Sequence, residues 1–442
     1  MSKIKTFIFL WVAILVSYGA SVRYGFSQDD WFHLSISQAG SIKEFLNFFN
    51  PFDVSWIFFR PLSTQVPYWF AFTIFGLDLA PYIMHFMMLI IHLANSYLVV
   101  RISSKYLKSN NSVVLGFLYA VSNIHFLSLF YIGAIQQLIS TLFSLLAINL
   151  FISKSKPSQI NLALLTLCAL LSKELALRLP LILLILAYLK DQNVLRSFKS
   201  VIGPILVAAL YVIFRMIVGS SGASEYVLNF SLATTVATIM WYTLFILGFP
   251  ERLLSYGLSA GRINFFGFLH DSGLAAYLVL LAALIMGLFI IAQLIKTIKN
   301  SKTHNLLVYP LLAIIAISPV VFLPTHRYPH YLDLSILFMG IWLLKSLELK
   351  FKSYLVLAVI TLGMLSSIYI ETNTHWTTKR AVLSKEISQH IISNMSCTSP
   401  SGVVFTGSKF ELQEISYAMS IANGPKIICQ NDSLQVYYKE LP

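Results

Sequence analysis

Residues 6–33, TFIFLWVAILVSYGASVRYGFSQDDWFH, decide the fold. The run 6–24 is close to the twenty or so apolar residues that a helix needs to cross a bilayer. Two adjacent carboxylates, Asp29 and Asp30, stand at its exit. No small-residue cleavage site follows the run, so it is expected to stay as an uncleaved anchor. The apolar feature then recurs near 80–100, 112–127, 129–152, 159–172, 175–189, 199–218, 273–294, 305–323, 329–344 and 354–371. With the first run, these make about eleven expected spans. Of the 442 residues, 57% are apolar and 11% charged, whereas soluble domains sit near 25% charged. The expected class is an all-α polytopic membrane protein.

The net charge of +13 needs placing before it is read as a nucleic-acid signal. With the N-terminus inside, the inner segments carry Lys3, Lys5, Arg101, Lys105, Lys108, Lys154, Lys156, Lys190, Arg196, Lys199, Lys296, Lys299, Lys302, Lys345, Lys350 and Lys352. This is the positive-inside bias of a membrane protein, so nucleic acid is not implied and membrane lipid is the surrounding partner. Residues 229–248 would invert the topology if they crossed, and are expected to be interfacial or re-entrant on the outer side. Residues 1–371 then form a membrane domain. Residues 372–442 form a small extracytoplasmic α/β tail, with helices at 376–395 and 411–421 and strands at 402–406, 426–429 and 434–438. The tail holds Cys397 and Cys429, which an oxidising compartment would allow to pair.

The outer face carries the candidate chemistry. The first outer loop, 25–79, is long and aromatic, with helical apolar spacing at 40–49 and 66–75 expected to lie along the membrane surface. Asp29 and Asp30 could take a proton from an attacking hydroxyl. Equally, Ser27-x-x-Asp30 has the form of a helix cap. His33 shares a helical face with both acids. Arg60 suits bidentate contact with phosphate, or an ion pair to Asp53 or Asp78. Lys173-Glu174 is either a hairpin ion pair or a substrate contact. Arg215, His326, Arg327 and Tyr328 either hold a phosphate head or anchor the interface. His125 and Gln136 are candidate pocket lining. No metal-ligand spacing, phosphate-binding loop, nucleophile elbow or dinucleotide fingerprint occurs.

The acidic pair, FFRPLS at 58–63, His85 followed by His92-Leu93-Ala94-Asn95, LSKE at 171–174 and HRY at 326–328 together resemble GT-C fold glycosyltransferases. The types most alike are bacterial membrane glycosyltransferases and the membrane half of transmembrane O-mannosyltransferases with tetratricopeptide repeats. The resemblance covers about residues 5–345. It implies a polyprenyl- or dolichyl-phosphate sugar donor, inversion at the anomeric carbon and Asp29 or Asp30 as general base, Asp29 being favoured. It implies phosphate or substrate contacts at Arg60, Lys173 and Arg327, and no organic cofactor, while the acidic pair could bind a divalent cation. The chain lacks the 34-residue repeats of the eukaryotic relatives, which leaves the acceptor open among a protein hydroxyl, a glycolipid and a polysaccharide unit. The expected setting is the bacterial cytoplasmic membrane. The competing classes are a lipid-linked-sugar transporter or flippase and a polysaccharide polymerase or ligase.

Overall fold

The computed structural model describes residues 2–52, 59–218, 227–257, 263–299, 305–345, 347, 350–393, 397 and 402–440. Asp53, one expected partner of Arg60, lies outside them. The chain is predominantly helical. Among the described residues, five helices are long and apolar enough to cross a membrane, or up to seven if each of two bent pairs counts as one span. The expected first span is the helix Lys3–Tyr18 continued by a 3-10 turn, Gly19–Arg23. The 15-residue helix Leu232–Ile246 occupies the ambiguous segment and is shorter than a straight crossing requires.

Two glycines explain breaks in the long helices. Gly76 (φ 70°) interrupts Gln65–Ser103, and Gly273 (φ 54°) interrupts Phe265–Lys299. Both have left-handed φ, which a side chain would strain. The helical spacing seen at 66–75 therefore ends at the Gly76 break, and the membrane-length run begins beyond it. Elsewhere small residues let helices approach. A Cβ on Gly363 would stand 2.2 Å from the Ala282 Cβ, so the helix Phe351–Thr374 lies backbone-close against Phe265–Lys299.

The polar residues of the HLAN region act inside this packing. His85 Nδ1 meets the Leu129 carbonyl at 3.0 Å, His92 Nε2 meets that of Ala120 at 3.0 Å, and Asn95 donates to that of Leu138 at 3.1 Å. All three side chains are fully buried, where a polar group needs a partner. They pin the long helix to the elements that carry the turn at Tyr131. His125, expected to line a pocket, is buried too, with its ring 4.5 Å from those of His92 and Tyr119.

After the break at His375 the chain runs into the helix Trp376–Ser393, then β1 (Val403–Gly407), helices Lys409–Ala418 and Asn423–Ile428, and β2 (Val436–Glu440). The two strands pair in parallel, Val403 opposite Val436. Residues 426–429, expected as a strand, instead belong to the end of a helix. Pro425 supplies the fixed φ that favours a first helical turn, and the Cys429 N–H closes onto the Pro425 carbonyl at 3.0 Å. A disulfide joins Cys397 and Cys429.

Candidate functional site

The short helix Asp29–Ser35 begins directly after Gln28, whose φ of 51° and ψ of −126° are uncommon for a side-chain-bearing residue. Such a conformation costs about 1–3 kcal/mol and persists only where surrounding contacts impose it. Here the turn separates the two carboxylates. Asp30 turns inward and is 1% exposed, while Asp29 is exposed to solvent. The Asp30 carboxylate accepts the Ser27 N–H at 2.8 Å and the Tyr68 hydroxyl at 2.6 Å. The Ser27 contact is half of the expected cap, so Asp30 does the capping work and leaves Asp29 outside. Burial lifts the Asp30 carboxyl to about 8, and the nearby Asp29 charge adds to this against the Tyr68 and Ser27 hydrogen bonds. At neutral pH Asp30 is therefore largely protonated.

Asp29 donates its backbone N–H to the Tyr131 hydroxyl at 3.2 Å. His33 is half-buried, its Nδ1 3.5 Å from the Tyr68 hydroxyl. Burial pulls its ring to about 4; the Asp29 charge opposes this and the Arg60 charge assists it. His33 thus lies within the fields of both an acidic and a basic group, and is neutral at pH 7.

The basic side is built from distant elements. Arg60 is 8% exposed and grips one oxygen of Glu174 through two nitrogens, at 2.9 and 2.6 Å. Gln136 accepts a third Arg60 hydrogen bond. The sequence offered Asp53 and Asp78 as partners for this arginine; the partner seen is Glu174, so LSKE and FFRPLS are one cluster. Burial would raise the Glu174 carboxyl, but the Arg60 guanidinium outweighs it and holds Glu174 ionised. Lys173 is nearly buried, with its ammonium 4.8 Å above the Tyr331 ring and 3.4 Å from His330 Nε2. Burial, then the neighbouring Arg60 charge, lowers this ammonium to about 7.

Arg60, Lys173, Glu174 and Arg215 line one cavity of about 640 Å³, whose other wall is apolar, including Leu177, Met216 and Leu323. One charged end and one apolar wall suit an amphiphile with an anionic head. The HRY turn divides. His326 is buried, and burial, then the charges of Lys173 and Arg60, lowers it to about 3. Tyr328 packs against the cluster containing Tyr131, joining the turn to the acidic side. Arg327 is half-buried and lies near Tyr242 instead, outside the cavity lining. Tyr68, Tyr131 and the buried pair Arg178–Asp333 were not singled out by sequence. A tyrosine between two apolar runs reads as an interface anchor, and only the fold shows what its hydroxyl meets.

The helical arrangement is that of the GT-C fold which the sequence resembles. No protein-family model and no curated protein matches the chain by sequence. Among solved structures it is similar to ArnT from Cupriavidus metallidurans bound to undecaprenyl phosphate. The TM-score is 0.53 and the identity 12%, over 99% of this chain and 86% of that one. An oligosaccharyltransferase from Archaeoglobus fulgidus, in complex with zinc and sulfate, matches at TM-score 0.48 and 13% identity, over 93% of this chain and 61% of that one. ArnT in the apo state matches at 0.45 and 14%, over 97% and 77%.

Proposed function

We propose that this chain is an integral membrane glycosyltransferase. It moves a sugar from a polyprenyl-phosphate donor to an acceptor hydroxyl on the extracytoplasmic side, with inversion. The observation that carries the proposal is an exposed carboxylate, Asp29, whose charge reaches His33 together with that of Arg60, a lining residue of the cationic, apolar-walled cavity, within a GT-C fold. The fold neighbour bound to undecaprenyl phosphate supports a lipid-phosphate partner.

In the proposed step Asp29 takes the proton of the acceptor hydroxyl. The freed oxygen attacks the anomeric carbon, and the bond from that carbon to the phosphate oxygen breaks. The lipid phosphate leaves with the electron pair. Arg60, Lys173 and Arg215 hold its charge, and positioning with electrostatic stabilisation supplies most of the acceleration. Asp30 serves as the buried support of Asp29. Arg327 is proposed as a peripheral substrate contact beside Tyr328. A divalent cation here would take Asp29 as its protein ligand and substrate oxygens for the rest; among the described residues no three His, Cys, Asp or Glu side chains converge. The proposed setting is a bacterial cytoplasmic membrane crossed eleven times by residues 1–371, N-terminus inside, with tail 372–442 outside.

The test is transfer or slow donor hydrolysis of labelled polyprenyl-phosphate hexoses by the purified protein in lipid. Asp29→Asn should lose about 10²–10⁴-fold in rate, the range for a general base, with folding intact. The proposal fails if Asp29→Asn retains the rate. It also fails if the wild type is inert towards a donor panel yet moves lipid-linked sugar between leaflets, which would make it a transporter.

A further inference from the structure

We infer that the C-terminal tail belongs to the catalytic apparatus: it grips the turn before Asp29 and so sets the direction of that carboxylate, with Trp31 and Ser384 as positioning residues. This rests on Asp29 being the base. Three contacts make the grip. The Gln28 N–H donates to the Ala418 carbonyl at 3.0 Å. The Trp31 indole N–H donates to the Ser384 hydroxyl at 3.0 Å, and the Trp31 ring is 3% exposed. Gly424 leaves the hollow that the ring fills, since a Cβ there would stand 3.3 Å from the Trp31 ring and 2.9 Å from the Met419 carbonyl.

These contacts fall on either side of the Asp29 backbone. The Gln28 bond holds a positive-φ residue whose conformation nothing in its own side chain favours. Without the Ala418 acceptor the turn can relax to ordinary φ, which rotates residue 29. The Trp31 contacts hold the first turn of the helix from its other end. The two halves of the grip are covalently tied: Ser384 lies on Trp376–Ser393, Gly424 opens Asn423–Ile428, and the Cys397–Cys429 disulfide joins the chain beyond each. A further contact reaches the same place, because Tyr131, which receives the Asp29 N–H, packs edge-on against Trp376 at 5.6 Å. None of the gripping tail residues lines the Arg60–Lys173 cavity. Loosening the grip should therefore misdirect the base without changing how the lipid phosphate is held.

The experiment uses the full chain in lipid nanodiscs, with the variants Ser384→Ala, Ser384→Thr and Trp31→Phe. The expected result is a fall in kcat of about tenfold or more for Ser384→Ala and Trp31→Phe, within the scale of a misplaced catalytic group, with KM for the lipid-phosphate donor unchanged. Ser384→Thr keeps a hydroxyl acceptor and should recover most of the loss. Hydrogen exchange provides an arm that does not need turnover: amides 28–31 should exchange faster in Ser384→Ala and Trp31→Phe, while amides 171–178 stay as in wild type. Unchanged exchange at 28–31 in both variants overturns the inference, as does an unchanged kcat or a Ser384→Thr variant as impaired as Ser384→Ala. If the wild type shows no transfer at all, the catalytic reading of Asp29 fails, and exchange alone decides whether the tail grips the turn.

Discussion

Replacing Asp333 by leucine tests whether the basic side of the site is held up by one buried ion pair. Arg178 Nη2 meets Asp333 Oδ1 at 2.5 Å, with the two side chains 3% and 2% exposed. Arg178 also donates to the carbonyls of Ala316 and Tyr331, the latter at 3.2 Å. The cation therefore joins the turn Glu174–Arg178, the helix Val308–Val321 and the turn Pro329–Leu332. Asp333→Leu leaves the guanidinium buried with carbonyls alone, and breaking such a pair costs about 3–5 kcal/mol. Arg178→Met should cost less, because Asp333 keeps Gln137, Thr141 and the Leu334 N–H as donors. The double variant, Arg178→Met with Asp333→Leu, removes both charges. It strands the Gln137 amide and the Thr141 hydroxyl, worth about 1–3 kcal/mol each if wholly unpaired. They lie 3.5 Å apart, however, and can serve each other. The double variant should thus be more stable than Asp333→Leu by about 2 kcal/mol, read as unfolding free energy in mixed micelles by pulse proteolysis. A double variant as unstable as the sum of the singles would refute this account, because the two residues would then act independently.

Two pH dependences follow from the same geometry. Lys173, lowered to about 7 by burial and by Arg60, loses its charge over the pH range in which the proposed anionic lipid head would be held. The apparent Kd for polyprenyl phosphate should weaken about tenfold from pH 6 to pH 8, in proportion to the protonated fraction, and Lys173→Arg should flatten the curve; titration calorimetry in nanodiscs would read it. Asp30, raised to about 8, binds more protons folded than unfolded between its ordinary value of 3.8 and 8. Its contribution to stability is full below that window and lost as pH rises through it. The unfolding temperature should therefore fall between about pH 5 and pH 8 and level off above it, and Asp30→Asn should flatten that slope; an equal slope in the variant would exclude Asp30 as its source.

The parts of this molecule that sequence reveals are those set by local pattern. Hydrophobic length marked the membrane class, and the helix expected from residue 376 is described over Trp376–Ser393. The candidate site residues were visible as polar intrusions on one face, because a charge beside a bilayer is costly enough to stand out. Their partners were hidden. Arg60 and Glu174 are 114 residues apart, and nothing local indicates that they meet. Composition alone does not separate the two adjacent aspartates, which the resemblance ranks only by favouring Asp29; the turn at Gln28 separates them by sending Asp30 inward. The strand expected at 426–429 failed for a related reason: a short apolar run does not distinguish strand from helix, and Pro425 with the disulfide-linked chain decides it.

The division of labour between Asp29 and Asp30 bears on why two acids stand together. A single exposed aspartate on this seven-residue helix would have its backbone held only by Tyr131 and the tail contacts. Asp30 adds a second hold from within the membrane domain. Its carboxylate closes onto the Ser27 N–H before the turn and onto Tyr68 across it, fastening the helix start to the long helix that begins at Gln65. Largely protonated at neutral pH, it adds little repulsion to the charge on its neighbour. Two ionised carboxylates side by side would each raise the other's affinity for a proton, so burying one keeps the exposed one available as a base. On these grounds Asp30→Asn should retain part of the transfer rate and Asp29→Asn almost none, an asymmetry that a purely capping pair would not produce.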